Sequence, residues 1–294
     1  MPTFASHDGT TLHYDLLGQT LLGQTTPGAD DRPPLIVLAG GPARHPVYLG
    51  DLAGLSRART LVVLHQRGVG DSPPSPTAAA ATWPELADDV EALRRHLALP
   101  AIELLGHSAG TRVALSYAAR YPHRLTSLCL ITPPAQWILA TPDDSPGIIA
   151  AHRDEPWYAD YVAHRLAATA AKSASDLNHL FPYLAPIAWA RWTPAARQHE
   201  ATGVWHPVAQ DRFFADADPA GIVDGLAQVR CPVLIVAGAA DGLTGHAPVL
   251  ALAGLFADGR AVSITGAGHY PWVEQPEAFA AALAGFYPVG AAAA

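Results

Sequence analysis

The sequence predicts an α/β protein: a mostly parallel, doubly wound β-sheet with a helical cap inserted late in the alternation. Three observations predict it. Continuous apolar runs at 34–41, 60–68, 101–106, 125–132, 231–238 and 260–266 alternate with helical patterns, as strands buried on both faces of a parallel sheet require. The alternation breaks at 134–225, a stretch with several prolines, mixed helical patterns and five of the seven tryptophans. A chain of 294 residues, half of them hydrophobic and 15% charged, is also long enough for one large domain with such an insertion.

The elements follow in order. HDGTTLHYDLLGQ alternates at Leu12, Tyr14 and Leu16 after an Asp8-Gly9 turn, which reads as a β-hairpin. LLGQT then occurs twice in tandem, at 16–20 and 21–25. Two copies of five residues build no repeat fold, so they read as a lengthened surface loop. PLIVLAGG and TLVVLHQRG are the first parallel strands. A helix is expected from Thr82 as N-cap, with Glu85 completing a capping box, and Leu86, Val90, Leu93 and Leu97 share its apolar face. AIELLG is a strand and 109–120 an alanine-rich helix. LTSLCLIT, CPVLIVAG and RAVSITG add three strands, with helices around 246–257 and 275–287. The expected division is a catalytic domain of residues 1–133 and 226–294 and a helical cap of 134–225.

Composition removes several function classes. A net charge of −8 with no basic run argues against a nucleic-acid partner. No N-terminal stretch joins positive charge to an apolar run, and no segment is long enough to span a bilayer. Cys129 and Cys231 sit in apolar runs and read as reduced core thiols of a cytoplasmic protein. The fourteen histidines lack HExxH or CxxC-type spacing, so no metal is expected; nor is any cofactor. The expected partner is a small-molecule substrate, and oligomeric state has no signature in the sequence.

Residues 106–112, GHSAGTR, carry the chemistry. G-x-S-x-G alone is a weak pattern, but here a strand ends at Gly106 and a helix begins after Ser108. That is the setting of a nucleophile elbow, in which a strained turn raises the serine oxygen at the C-terminal edge of the sheet. The helix start also leaves the Ala109 amide available to an oxyanion. A serine needs a base within hydrogen-bond reach, and acid and histidine are expected after the serine, in that order. LIVAGAADG offers Asp241 just past one strand, and ITGAGHYPW offers His269 just past the last. The loop after the first parallel strand, Ala39-Gly40-Gly41-Pro42, offers the Gly41 N–H as second oxyanion donor. Cap aromatics Trp137, Trp189 and Trp192 are candidates for an apolar pocket at the cap–sheet boundary.

On these motifs the chain resembles an α/β-hydrolase, and more narrowly the proline iminopeptidase group. AGGPA at 39–43 resembles that group's HGGPG, with Ala39 and Ala43 departing. HQRGVGDS at 65–72 resembles DQRGxGxS, with His65 for the aspartate. ADDVEALRRHL at 87–97 and GAGHYPWVEQPEAF at 266–279 resemble the helix before the elbow and the histidine segment. AWARW at 188–192 resembles A-W-x-x-W-E, whose glutamate helps hold the substrate's free amino terminus in that group; here the next residue is Thr193. A neutral hydroxyl gives a buried ammonium no ion pair.

The leading expectation is therefore a serine hydrolase acting on an ester, thioester or amide of a small, largely apolar substrate. The first alternative is a proline iminopeptidase in which Glu155, Asp160 or Glu200 reads the amine. A second is a non-hydrolytic lyase or cyclase that uses the His269–Asp241 pair for proton transfer, and a third is a ligand-binding protein without catalysis. Serine at 108 argues against aspartate-nucleophile chemistry.

Overall fold

Eight strands join in one sheet in the computed structural model, which describes residues 1–18, 32–77, 81–215 and 217–287. They are β1 (Thr3–Ala5), β2 (Thr11–Leu17), β3 (Leu35–Leu38), β4 (Leu61–Leu64), β5 (Ile102–His107), β6 (Leu125–Ile131), β7 (Val233–Gly238) and β8 (Gly259–Ile264). Their order is β1-β2-β4-β3-β5-β6-β7-β8. The hairpin β1–β2 joins β4 antiparallel, and every pair from β4 through β8 is parallel.

Alternate residues of the central strands face different cores. Ile36, Leu38, Val62, Leu64, Leu104, Leu128, Leu130 and Ile235 pack with helices Ala87–His96 and Gly110–Arg120. Their neighbours Leu35, Val37, Leu61, Val63, Leu105, Cys129, Ile131 and Val236 pack with Tyr48, Trp272, Phe279 and Leu283. Because both faces are covered, the strands read as unbroken apolar runs, and each buried Leu, Ile or Val contributes about 1.5–3 kcal/mol.

The first helix after β4 begins at Ala87, with Leu86 as its N-cap, four residues later than the capping box predicts. The amides of Glu85 and Leu86 both turn back to the Thr82 carbonyl, and the Glu85 carboxylate pairs with Arg120 at 2.7 Å. Pro84, with no N–H to give, sits in this turn. The second LLGQT copy, at 21–25, lies outside the described residues.

Between β6 and β7 the described residues form helices and no strand: Ser145–Ala150, Tyr158–Ala170, Ala174–Leu184, Pro194–Glu200, Pro207–Phe214 and Ile222–Leu226, with a 3-10 turn at Ala185–Ala188. Ile222–Leu226 packs on helix Gly110–Arg120, with Leu226 in the sheet core. Among the described residues no helix is long and apolar enough to cross a membrane.

Candidate active site

Ser108 stands between β5 and helix Gly110–Arg120 with φ +51. That left-handed backbone costs a non-glycine residue about 1–2 kcal/mol, so its surroundings have to hold it. The Ser108 N–H donates to the Ile131 carbonyl (2.9 Å), and its own carbonyl accepts from the Thr111 N–H (2.9 Å). The motif's glycines are matters of space. A Cβ on Gly110 would lie 2.5 Å from the Ala39 carbonyl oxygen, and one on Gly106 would lie 3.0 Å from that of Gly110.

His269 Nε2 lies 2.8 Å from Ser108 Oγ, and its Nδ1 lies 2.8 Å from Asp241 Oδ2. A carboxylate only accepts, so Nδ1 carries the proton and Nε2 is left to accept from the serine hydroxyl. Asp241 is fully buried and its acceptor sites are occupied. Oδ1 takes the N–H groups of Leu243 and Thr244, and Oδ2 takes the Thr244 hydroxyl at 2.5 Å as well as the imidazole. The histidine backbone is fixed at both ends. Its N–H donates to the Ala188 carbonyl at 2.6 Å, and its carbonyl accepts from His107 Nε2 and Thr132 Oγ1, each at 3.1 Å.

Facing the serine, the Gly40 N–H donates to the Tyr48 hydroxyl at 2.7 Å, which removes it as an oxyanion donor. Gly41 follows with φ +128, and Ala109 is the N-cap residue of the helix. Among the described residues neither of these two amides has a hydrogen-bond acceptor, and the first amides of a helix have no partner within it. No group of three His, Cys, Asp or Glu side chains among the described residues is arranged to hold a metal ion.

The tryptophans and Thr193 take distinct positions. Trp189 is 1% exposed. It packs against Tyr270 and His199 (centroids 4.8 and 5.4 Å) and donates its indole N–H to Glu200 at 2.8 Å. Trp192 lies half-buried beside it. Trp137 is instead on the other side of the sheet, stacked edge-on to Trp83. The Thr193 hydroxyl caps helix Pro194–Glu200 through the Ala196 N–H. A cavity of about 270 Å³ borders the loops that carry Asp241 and His269, lined by Tyr161, Phe181, Ile187, Ala188, Leu243 and Tyr270 among others.

Several residues that shape the site escape sequence reading. Arg44, on the loop after β3, is buried and bonds the carbonyls of His199, Glu200 and Thr202, the Glu200 carboxylate (3.3 Å) and the Tyr270 hydroxyl. Glu274 accepts from the Gly268, Ala190 and Arg191 amides, tying the histidine loop to the AWARW segment, and burial pushes its carboxyl up. His65, standing where the resemblance expects aspartate, donates Nε2–H to Asp15 and accepts the Asp71 N–H on Nδ1. The only advance signal was proximity to a motif: Arg44 follows AGGPA and His107 lies inside GHSAG.

Known proteins resemble this chain in sequence and fold. The chain is 29% identical over 220 residues to N-formylmaleamate deformylase of Pseudomonas putida, covering 74% of this chain and 75% of that protein. It is 32% identical over 110 residues to a (lyso)-N-acylphosphatidylethanolamine lipase of Homo sapiens, where the match is 37% of this chain and spans about a third (32%) of the lipase's length. The fold superposes on the crystal structure of proline iminopeptidase from Mycobacterium smegmatis with a TM-score of 0.69 and 24% identity, over 97% of this chain and 96% of that one. The alpha/beta hydrolase fold family matches residues 33–276, and the chain belongs to it.

Proposed function

We propose that this enzyme is a serine hydrolase that cleaves an ester, thioester or amide of a small, largely apolar substrate. The observation that carries the reading is the hydrogen-bonded chain Ser108–His269–Asp241, 2.8 Å at each link. Ser108 Oγ attacks the carbonyl carbon while His269 Nε2 takes its proton, and Asp241 holds the imidazolium that forms. The Gly41 and Ala109 amides receive the oxyanion; each such donor typically contributes about 2.7–4 kcal/mol to the transition state. His269 then returns the proton to the leaving group, and water repeats the sequence on the acyl-serine. Residues 134–225 act as the cap over this site, with Trp192 at its apolar boundary.

Recognition of a free amino terminus is not part of this reading. Thr193 is neutral and occupied as a helix cap, and Glu200 is committed to Arg44 and Trp189. The likeness of the whole chain to a proline iminopeptidase favours a second reading in which Glu155 or Asp160 reads the amine.

Fluorophosphonate labelling, followed by p-nitrophenyl esters set against prolyl and N-acetylprolyl anilides, separates the two. Labelling lost in Ser108→Ala, with turnover down by several orders of magnitude, is the expected result; near-normal turnover in that variant overturns the acyl-enzyme. Prolyl anilide cleaved much faster than its N-acetyl counterpart makes the enzyme an aminopeptidase.

A further inference from the structure

One turn after Ser108, helix Gly110–Arg120 carries a guanidinium that no carboxylate answers among the described residues. Arg112 Cζ lies 4.9 Å from the Trp137 ring centroid, 5.4 Å from Phe214 and 5.7 Å from Trp83. Among the described residues it has no hydrogen-bond or ion-pair partner, and its Nε–H is buried without an acceptor. The indole N–H of Trp137, buried beside it, has none either. The more deeply buried arginines have carboxylates, Arg44 through Glu200, Arg67 through Asp8 and Asp89, Arg94 through Glu91, whereas half-buried Arg112 has none among the described residues. Burial draws the Arg112 guanidinium down to about 10, so it stays cationic at neutral pH. Three aromatic faces offset part of its desolvation but accept none of its N–H bonds, and buried donors are ordinarily paired.

The position of Arg112 indicates which acceptor it awaits. Thr111 and Arg112 close the first turn onto the carbonyls of Ser108 and Ala109, which puts Arg112 about 6 Å along the helix axis from the nucleophile. Trp137 comes from the segment just past β6, at the same end of the sheet. We propose that Arg112 and the Trp137 indole N–H bind a carboxylate carried by the substrate itself, at the far end of its acyl chain. The inference rests on the serine-hydrolase reading and narrows its substrates to half-esters or half-amides of short dicarboxylic acids. A planar guanidinium matches a carboxylate in geometry as well as charge. The aromatic walls exclude the water that would screen the pair, and they suit the intervening methylenes.

p-Nitrophenyl hydrogen glutarate and its methyl-capped diester differ only in the remote carboxylate. The wild-type enzyme is expected to favour the monoester by at least about tenfold in kcat/KM, chiefly through KM. Arg112→Met, which keeps the apolar stem, brings the ratio of the two close to one. Equal kcat/KM in the wild type overturns the proposal, and so does a preference that survives Arg112→Met. Tryptophan emission supplies a readout independent of turnover and of that variant's folding: glutarate shifts the wild-type spectrum saturably and glutaramide does not. If neither ester is cleaved but glutarate shifts the emission, the anion site stands and the hydrolase reading falls. An unresponsive spectrum, or an equal response to inorganic phosphate, rules out a carboxylate site.

Discussion

His107 donates its Nε2–H to the carbonyl oxygen of His269 across 3.1 Å, so the residue beside the nucleophile fixes the backbone of the proposed base. A carbonyl only accepts, which places the proton on Nε2 and leaves Nδ1 to accept from the Tyr48 hydroxyl at 2.7 Å. Tyr48 in turn accepts from the Gly40 N–H. Burial holds His107 well below the usual histidine range, so the chain from Gly40 to His269 keeps one direction. The loop that carries Gly40 and Gly41 and the loop that carries His269 are thereby linked through two buried side chains.

Tyr48→Phe removes the middle of this chain and nothing else of its size. The Gly40 N–H and His107 Nδ1 are both left buried without partners, at about 1–3 kcal/mol each. The variant should lose about 2 kcal/mol or more by urea unfolding, with a roughly tenfold lower kcat and a KM that changes little. An unchanged unfolding midpoint would show that the two groups find other partners.

Acid should weaken the fold before its ion-paired carboxylates titrate, against the smaller opposing effect of Glu274, whose carboxyl burial pushes up. Burial and then the charge of Arg44 pull His199 from 6.5 to about 4. Between those values the unfolded chain binds a proton that the folded chain refuses, so stability is full above pH 6.5 and falls as pH drops through the window. His107 acts in the same direction. Glu91, held at about 2 chiefly by Arg94, adds its own loss only below about pH 4.5. The melting temperature measured from pH 7.5 to 4 should therefore decline already above pH 4.5, and His199→Gln should flatten that part of the curve. A wild-type plateau down to pH 4.5 contradicts the assignment.

Glu200→Gln breaks the pair with Arg44 while keeping the shape of the side chain. Removing one partner of a buried pair typically costs about 3–5 kcal/mol, though Arg44 retains its backbone carbonyls and the loss should lie at the low end. Limited proteolysis is expected to find a new cleavage site within residues 193–206. If stability falls with no change in the proteolytic pattern, the pair supports the core rather than this segment.

Gly110→Ala tests the elbow's spacing apart from its chemistry. The added methyl meets the Ala39 and Leu38 carbonyl oxygens at 2.5 and 2.6 Å, so β3 and the helix have to part. Expected outcomes are a melting temperature lower by several degrees and a loss of labelling at Ser108. Normal labelling would mean that the oxyanion loop shifts without disturbing the serine.

What could be read in advance was whatever depends on local pattern. β3 and β4 are four-residue runs of LIVL and LVVL, and no reading other than strands buried on both faces suits them. Ser108, Asp241 and His269 stand out because each follows a strand end. Tyr48 gave no signal: its value lies in reaching His107, 59 residues away, a distance only the tertiary fold closes. Trp189 was read as pocket-lining by composition, yet Tyr270 and Glu200 draw it into the interior. The late start of helix Ala87–His96 was hidden likewise, since Glu85 prefers Arg120, 35 residues on, to its own helix start.

The hold of Arg44 on residues 199–202 divides the helical insertion into two mechanical provinces. The stretch from His199 to Trp205, also joined to Arg44 by an isolated β-bridge, is riveted to the loop that carries Gly41 and cannot swing without moving that loop. Among the described residues helices Tyr158–Ala170 and Ala174–Leu184 make no bond to Arg44 and bury only Tyr161 and Ala174, and Phe181 touches the held stretch only through the Trp205 ring, at 4.8 Å. Under the proposed function, these two helices, which give Tyr161 and Phe181 to the cavity beside Asp241 and His269, are where substitution would change the accepted substrate with least disturbance to the Ser108–His269–Asp241 chain.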